Sequence, residues 1–332
     1  MEIGSMKRIV TGASGFVGRG LLERLSTHDH GGMATGRQPP TNLPAGWRAA
    51  CRGDVLSGAV EPTDVDAIIH LEVKQHVLRP TAADIKTFHE TNVAGTQEWL
   101  DWAGRHGVRR FVYTSSIKAV SPGDGTERVV ESRTVAGTSA AEPDTPYGRS
   151  KALAEAAVRD WAAARPDRIA VILRPAPVYG PGNEANLAAF ARQVVTGKPC
   201  LIGLCDAQKS VVSRTNIAAA IEFAANWPTP GCEVFNVSDR ETYSLGQLAD
   251  MISSLSGAPP PRRIPRALAG CIAIVGDAIT AVTGREFPLT SARMKQMLAT
   301  SVFPCENLTA AGFVHPQTTQ QGLAEMLEWM AG

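Results

Sequence analysis

The sequence lacks an excess of charge of either sign. Its 332 residues include 33 basic and 32 acidic side chains, which gives a formal net charge of +1. A protein that binds nucleic acid or a membrane surface usually carries a basic excess or a basic stripe. We see neither here, so we expect no nucleic-acid partner and no membrane partner.

Cysteines are few and scattered. Six occur along the chain without a C-x-x-C pair, and a chain of this length needs no disulfide scaffold, so we expect reduced thiols in a cytoplasmic protein. The segment HDHGG at residues 28–32 contains two histidines and an aspartate, but no third metal ligand lies nearby in the sequence. We interpret it as a solvated loop, and we predict no metal site.

Long apolar runs are also missing. The N-terminus has no apolar core of a signal peptide. The most apolar stretch, Ala267–Val282, is shorter than the ~20 residues that a membrane span needs, and it contains Asp277. We interpret this stretch as a buried or partly exposed helix.

Short apolar runs alternate with helical patterns in the first half of the chain. This alternation predicts an α/β fold, with a parallel sheet connected by crossover helices. The predicted strands are Arg8–Thr11, Met33–Thr35, Trp47–Arg52, Ala67–Leu71, Phe111–Thr114 and Ile169–Arg174. The predicted helices are Val17–Leu25, Phe88–His106, Tyr147–Ala164, Leu187–Thr196, Ile217–Ala225, Leu245–Leu255, Ala267–Val282 and Gln320–Met330.

A glycine-rich turn joins the first predicted strand to the first predicted helix. Its glycines, Gly12, Gly15 and Gly18, have the spacing G-x-x-G-x-x-G. Such glycines permit a tight turn and a close approach of the backbone to a pyrophosphate, and the helix N-terminus offers free N–H groups to the phosphates. The turn predicts a doubly wound Rossmann domain over residues 6–174. Residues 175–332 are expected to form a smaller mixed α/β lobe, mainly for substrate, with some segments returning to the first domain.

The residues at the end of the second predicted strand indicate whether NAD or NADP is bound. An acidic side chain there would bind the adenosine ribose, but this sequence has Gly36 and Arg37. An arginine pairs with a 2′-phosphate, so NADP is favoured over NAD, with a solvated Arg37 as the alternative. Asp54, after the third strand, is expected either beside the adenine amino group or as a cap of a helix or turn.

Tyr147 and Lys151 have the spacing Y-x-x-x-K at the start of a predicted helix. Residues i and i+4 share one helix face, and a lysine ammonium lowers the pKa of a nearby tyrosine from its ordinary ~10. Ser116 follows the fifth predicted strand, where its hydroxyl would stabilise a developing alkoxide. The three residues therefore predict a catalytic triad.

These motifs resemble the extended short-chain dehydrogenase/reductase family, in particular its NAD-dependent epimerase/dehydratase branch of nucleotide-sugar 4-epimerases and 4-ketoreductases. The resemblance covers nearly the whole chain and is carried by TGASGFVG, GDV, IIHL, NVAGT, YTSSIKAV, YGRSK and LRPAPVYGPG, within residues 11–182. It implies that Tyr147 exchanges a proton with the 4-hydroxyl or 4-keto oxygen of a sugar. It also implies that Lys151 binds the nicotinamide ribose and tunes Tyr147, while a hydride passes between C4 of the sugar and C4 of the nicotinamide.

The resemblance and the residues named above together predict which side chains contact the cofactor and the substrate. The cofactor contacts are Gly12, Gly15, Phe16, Val17, Gly18, Arg37, Asp54, Val55, Leu71, Asn92, Thr114, Tyr147, Lys151, Pro175 and Val178. The substrate contacts are Ser116, Tyr147, Asn186 and Lys209. A helix cap at Asn186 and a solvated Lys209 are the alternatives for the last two.

Two departures from the family pattern keep other functions open. Glu72 stands where a small residue is usual, so a carboxylate is expected near the cofactor phosphates. Gln208-Lys209-Ser210 stands where arginines for the UDP pyrophosphate are usual. A nucleotide-sugar oxidoreductase acting at C4 is the first hypothesis, with Arg37 favouring a 4-ketoreductase and the resemblance favouring an epimerase. An NADPH-dependent reductase of a non-sugar ketone and a non-catalytic NADP sensor are the alternatives.

The family often dimerises through the two helices that correspond to Phe88–His106 and Tyr147–Ala164. Trp99, Trp102 and Trp161 belong to these helices. They are expected either on a homodimer surface or inside the monomer.

Overall fold

The fold is described here from a computed structural model. The structure describes residues 7–27, 31–75, 77, 80–120, 143, 145–184, 187–198, 201–284 and 287–332. Asn186 and residues 28–30 of the HDHGG segment lie outside the described residues.

The described chain forms strands and helices in alternation. The strands are β1 (Arg8–Thr11), β2 (Gly32–Gly36), β3 (Trp47–Cys51), β4 (Ala67–His70), β5 (Arg110–Thr114), β6 (Ile169–Pro175), β7 (Val178–Tyr179), β8 (Leu201–Ile202), β9 (Gln208–Lys209), β10 (Val212–Ser213), β11 (Gly231–Val237), β12 (Tyr243–Ser244) and β13 (Arg263–Ile264). The α-helices are α1 (Phe16–Ser26), α2 (Arg52–Leu56), α3 (Ala82–Phe88), α4 (Gly95–Arg105), α5 (Pro146–Ala163), α6 (Leu187–Val195), α7 (Arg214–Ala225), α8 (Leu245–Ser256), α9 (Arg266–Thr283), α10 (Ser291–Leu298), α11 (Glu306–Ala310) and α12 (Thr319–Ala331).

Seven parallel strands form the central sheet, in the order β11-β6-β5-β4-β1-β2-β3. The order reverses between β1 and β4, so their carboxyl ends open a crevice of the kind in which Rossmann folds bind dinucleotides. This topology confirms the predicted doubly wound α/β fold. The division at residue 174 stays a prediction, but β11 lies far beyond it and pairs with β6 along seven residues.

Both faces of the sheet are covered by helices, as strands buried on both sides require. One apolar core lies on the side of α1 and α7, and a second lies on the side of α4 and α5. Trp99, Trp102 and Trp161 belong to the second core and are at most 8% exposed. They pack inside the monomer, so they do not form a dimer surface.

The helix predicted over Phe88–His106 starts earlier than predicted. Thr81 caps α3 with its side chain and forms a reciprocal capping box with Asp84, and this arrangement stabilises a start at Ala82. A π-helical segment, His89–Ala94, joins α3 to α4 in one continuous helix. Such segments often lie at functional sites.

Candidate active site

The glycine turn after β1 is shaped for a close approach of other groups. Gly12 has φ of +62°, and a Cβ there would lie 2.9 Å from the backbone nitrogen of Glu72. A Cβ at Gly18 would lie 2.5 Å from the carbonyl oxygen of Gly12. Both positions therefore require glycine, and the turn packs directly against the start of the loop after β4.

The N-terminus of α1 is open toward this crevice. Gly15 is the N-cap and provides no side chain to cap the helix, so the first N–H groups remain available to an anion. Phe16 and Val17 begin the helix and are half-buried. This backbone cradle fits a dinucleotide pyrophosphate.

The adenine end of the crevice is lined by β2 and α2. Arg37 follows β2 directly and is exposed, as is Asp54 within α2, whereas Val55 is buried. Cys51, and not Asp54, is the N-cap of α2. The carboxylate of Asp54 therefore does not take the helix-capping position.

The carboxylate of Glu72 accepts hydrogen bonds from two side chains of the protein. Its Oε2 accepts hydrogen bonds from Arg52 Nε at 2.9 Å and from Trp99 Nε1 at 3.3 Å. Arg52 also pairs with Glu98, so one cation serves two carboxylates, and the effect of Glu72 on cofactor binding stays a prediction. Arg52 lies 20 residues from Glu72 in the sequence, so no local pattern indicated this pair.

Asn92 lies in the π-helical segment and is fully buried. Its Oδ1 accepts from the backbone N–H of Lys74 at 2.8 Å, and its Nδ2 donates to Ser150 Oγ at 2.9 Å. The amide thus ties the loop after β4 to α5. We assign Asn92 a positioning role in this crevice.

Ser116 and Tyr147 come together at the carboxyl end of β5. Pro146 occupies the first turn of α5, and Thr145 caps the helix by accepting from Gly148 N–H. A Cβ at Gly148 would lie 2.4 Å from the carbonyl oxygen of Lys118, so α5 abuts the turn that follows Ser116. The Ser116 hydroxyl therefore lies close enough to Tyr147 to lower the pKa of its phenol.

The environment of Tyr147 favours its protonated form. Burial raises the pKa of Tyr147 to about 12, although the hydrogen bond from Ser116 acts in the opposite direction. The ring packs edge-on against Phe88 at 5.8 Å between centroids. In this structure the Tyr147 phenol therefore keeps its proton.

Lys151 is 1% exposed, one turn after Tyr147 on α5. Its Nζ donates to the hydroxyl of Tyr113 at 3.1 Å and to the carbonyl of Thr114 at 2.9 Å. Burial lowers the pKa of Lys151 to about 7, against the opposing charge of Glu155. The ammonium therefore titrates near neutral pH.

A buried polar chain continues from Lys151 toward the glycine turn, and sequence reasoning missed it. Thr96 acts on the pKa of Tyr113 through its side chain, and Thr96 Oγ1 lies 3.1 Å from His70 Nε2. His70 Nδ1 lies 2.8 Å from Thr11 Oγ1, the last residue of β1. Burial lowers the pKa of His70 well below its usual value, so its ring stays neutral and fixes these hydroxyls.

A buried ion pair supports the same face of α5. Glu155 Oε1 accepts from Arg174 Nε and from Ser115 Oγ, each at 2.7 Å. Burial acts to raise the pKa of Glu155, but Arg174, Ser115 and Arg159 together hold it below its usual value. The pair locks α5 to β6, so it holds Lys151 in register with β5.

The predicted substrate contact Lys209 is occupied elsewhere. Its Nζ donates to the carbonyl of Gln296 at 2.9 Å and also to the carbonyl of Ala299, so it binds the C-terminal end of α10. Burial and the charge of Lys118 lower the pKa of Lys209. The alternative of a solvated Lys209 is therefore wrong, and its contact with substrate stays a prediction.

The remaining predicted cofactor residues line the ends of the central strands. Thr114 ends β5, and its buried Oγ1 has no hydrogen-bond partner among the described residues. Leu71 follows β4 beside Gly12. Pro175 ends β6 and is buried, while Val178 lies in β7 and is half-buried. The unpaired Thr114 hydroxyl is one more feature of this crevice that fits a bound polar group.

Residues 8–238 match the NAD dependent epimerase/dehydratase family. The chain belongs to this family. It is accordingly an NAD-dependent enzyme of the oxidoreductase and epimerase type, as the sequence motifs predicted.

Similar proteins span nearly the same length. The N-acetyl-alpha-D-glucosaminyl-diphospho-ditrans,octacis-undecaprenol 4-epimerase of Escherichia coli O157:H7 is 27% identical over 97% of this chain and 94% of its own. The 2-alkyl-3-oxoalkanoate reductase of Stenotrophomonas maltophilia is also 27% identical, over 76% of this chain and 77% of its own. The structure of MoeE5 in complex with UDP-glucose and NAD has a TM-score of 0.72 at 22% identity and covers 98% of both chains, which shows that the fold is shared.

Proposed function

We propose that this family member is a 4-epimerase of a nucleotide sugar. The observation that carries the proposal is the meeting of Tyr147 with the turn after Ser116, where α5 abuts that turn at Gly148 and Lys151 is buried one turn further along α5. Two hydroxyls and an ammonium at the carboxyl ends of the central strands provide a place where a sugar oxygen can lose and regain a proton. The similarity to a 4-epimerase over 97% of the chain supports this choice of reaction.

The protein's own residues handle the proton. In the proposed mechanism Tyr147 takes the proton of the sugar 4-hydroxyl and later returns it, while Ser116 hydrogen-bonds the same oxygen. Lys151, charged in part because its pKa is about 7, stabilises the tyrosinate electrostatically. The polar chain through Tyr113 and His70 keeps the ammonium aligned.

The glycine cradle at the start of α1 would hold the dinucleotide phosphates. The Arg37 side chain and the Thr114 hydroxyl would contact its two ends. When bound, the oxidised nicotinamide supplies a hydride acceptor and a positive charge. That charge further favours the tyrosinate.

We also propose, from the position of Arg37, that the protein prefers NADP to NAD. The exposed guanidinium directly after β2, without an acidic side chain at that strand end, favours the 2′-phosphate of NADP over NAD. Titration of each oxidised dinucleotide would test this, with NADP binding at least ten times more tightly than NAD. Arg37→Asp should reverse the order, and a tighter NAD complex of the unchanged protein would contradict the preference.

The test of the function itself is a conversion assay with UDP-hexoses. We expect interconversion of the 4-epimers without net consumption of dinucleotide. Stoichiometric oxidation of NADPH on a UDP-4-keto sugar, without epimerisation, would instead identify a 4-ketoreductase. The Tyr147→Phe variant should be inactive in either case.

A second candidate is the reduction of a non-sugar ketone. Lys209 is bound to the carbonyls at the end of α10, which removes one expected cation for a UDP pyrophosphate. The similarity to a 2-alkyl-3-oxoalkanoate reductase points the same way. Activity with such a ketone and NADPH, and no binding of UDP in calorimetry, would favour this candidate over the epimerase.

We also keep the homodimer as a proposal. A groove between α4 and α5 is lined by residues that include Leu100, Leu153 and Ala157, and Leu153 is 54% exposed. A second copy packing helix to helix would cover this face. Sedimentation of the unchanged protein and of Leu153→Glu would test it, because only the former should be dimeric.

A further inference from the structure

Helix α9 exposes most of its apolar side chains. Ile274 is 68%, Val275 is 55% and Val282 is 86% exposed, and Leu268 is 52% exposed at the other end. The helix is long and apolar enough to cross a membrane by length and composition, yet only 22% of it is buried. The expectation of a buried or partly exposed helix therefore understates the apolar surface that α9 presents.

The opposite face of α9 is made of small residues and is fixed to the protein. Ala269, Ala273 and Gly276 are buried there. A Cβ at Gly276 would lie 2.1 Å from the carbonyl oxygen of Leu289, and Thr280 Oγ1 accepts from Phe287 N–H at 3.1 Å. Because one face is packed, α9 lies along the surface of the lobe and does not form a separate spanning helix.

Positive charge is concentrated around this apolar face. Residues 258–300 contain six basic and two acidic side chains, although the whole chain is balanced. Arg262, Arg263 and Arg266 stand at the N-terminal end of α9 and are exposed. An apolar helix face edged by arginines is the pattern of helices that lie in the interface of an anionic membrane.

A cavity adjoins the apolar face of α9. A cavity of about 490 Å³ lies between α9 and α10, with Arg266 and Lys295 among its lining residues and Leu298 and Ala299 at the C-terminal end of α10. The Ala299 carbonyl is held by Lys209, whose pKa responds to Lys118. Lys118 N–H in turn donates to Ser116 Oγ at 3.2 Å.

We propose that α9 docks on an anionic phospholipid bilayer, with its aliphatic side chains among the acyl chains and its arginines at the lipid phosphates. The balanced charge of the whole chain led us to expect no membrane partner. The proposal departs from that expectation because basic residues are locally in excess around α9.

A second copy of the chain is a poorer occupant of this face. A two-fold contact through α9 would bring the same arginine-rich segment of both copies close together. The exposed apolar residues are aliphatic, whereas protein interfaces are enriched in aromatic residues. An anionic bilayer surface accommodates both the arginines and the aliphatic side chains.

The test is flotation with vesicles of phosphatidylethanolamine and phosphatidylglycerol, compared with vesicles of phosphatidylcholine alone. We expect the unchanged protein to float with the anionic vesicles and at least ten times less with the neutral ones. Val275→Glu combined with Val282→Glu should abolish flotation. Val314→Glu is the matched control, because Val314 is 80% exposed outside α9.

Vesicle flotation and sugar conversion together distinguish a failure of the docking proposal from a failure of the proposed 4-epimerase. All three proteins should convert a water-soluble UDP-sugar equally, since Val275 and Val282 lie outside the catalytic site. Flotation without any sugar activity would leave the docking surface standing and remove the 4-epimerase. Failure of the unchanged protein to float would overturn the docking surface, and so would flotation of the α9 variant. A dimer that dissociates in the α9 variant without any vesicle binding would assign the face to a second copy.

Discussion

Helices α5 and α9 are both 18 residues long, yet they bury opposite kinds of side chain. Helix α5 buries Lys151 and Glu155 and exposes Leu153, whereas α9 buries alanine and glycine and exposes isoleucine and valine. Length and helical periodicity are the same in both. The difference lies in what each helix is packed against.

The buried ionisable groups of α5 each have hydrogen-bond partners. Lys151 meets a hydroxyl and a carbonyl, and Glu155 meets a guanidinium and a hydroxyl. Buried charges without such partners would be strongly destabilising. The aliphatic residues of α9 named above are instead largely exposed, as the proposed docking surface requires.

The largest expected effect comes from removing the phenol on α5. Tyr147→Phe keeps the ring that packs against Phe88 but cannot exchange a proton. We expect kcat/KM to fall about a thousandfold, which equals about 4 kcal/mol of transition-state stabilisation. Steady-state kinetics would measure this loss, and dinucleotide binding should be unchanged. A loss smaller than tenfold would mean that Tyr147 is not the proton carrier.

Breaking the ion pair of α5 should have the next largest effect. Glu155→Gln leaves the buried Arg174 without its countercharge, so we expect the free energy of unfolding to fall by about 3 kcal/mol. Urea unfolding would measure it. Arg159→Gln is the control, because Arg159 is the more exposed partner of the same carboxylate, at 29%, and should change stability by less than about 1 kcal/mol. Equal losses in both variants would contradict this assignment.

The pH dependence of that pair has a definite sign. The pKa of Glu155 is lower in the folded protein than in the unfolded chain. Its contribution is therefore present above the unfolded pKa and is lost as the pH falls through the folded value. The difference in unfolding free energy between the unchanged protein and Glu155→Gln should shrink in acid.

Removing the buried ammonium should stabilise the protein while abolishing activity. The pKa of Lys151 is lowered from 10.5 to about 7 in the folded protein. Between pH 7 and pH 10.5, Lys151 therefore carries a proton in the unfolded chain that it lacks in the folded protein. The unchanged protein should therefore gain stability as the pH rises from about 7 to 10.5. We expect Lys151→Met to be more stable by roughly 1 kcal/mol at pH 6, with the advantage shrinking above pH 7.

Thermal unfolding of both proteins across this pH range would measure the effect. Lys86→Met, at a lysine side chain that is 78% exposed, is the control and should show no such dependence. An advantage of Lys151→Met that stays constant with pH would exclude the titration of Lys151.

The smallest effect is expected on the exposed face of α9. Val275→Ala should change the free energy of unfolding by less than about 0.5 kcal/mol, because Val275 is 55% exposed. The same substitution at Val158, which is fully buried on α5, should lower it by about 2 kcal/mol. Urea unfolding of the pair would show whether α9 contributes its apolar face to the folded core, since similar losses would contradict its exposure.

Much of the fold was predictable because its signals are local. The strands of the first half appear within about two residues of their predicted ends, since short apolar runs and helical periodicity determine them. Strand β11 was missed, because its first four residues are exposed or half-buried and only pairing with β6 makes it a strand. Similarly, the short helices α10 and α11 have too few periodic positions to be recognised.

The sequence by itself determined the glycine turn, the family and the candidate trio of Ser116, Tyr147 and Lys151, because each depends on residue types at short spacing within local motifs. Tertiary structure alone decided the rest. It paired Glu72 with Arg52, turned Lys209 toward α10, linked Lys151 to Tyr113, and left the aliphatic face of α9 uncovered. Those outcomes depend on which distant segments meet in space, and periodicity within one segment carries no information about the chemistry of its neighbours.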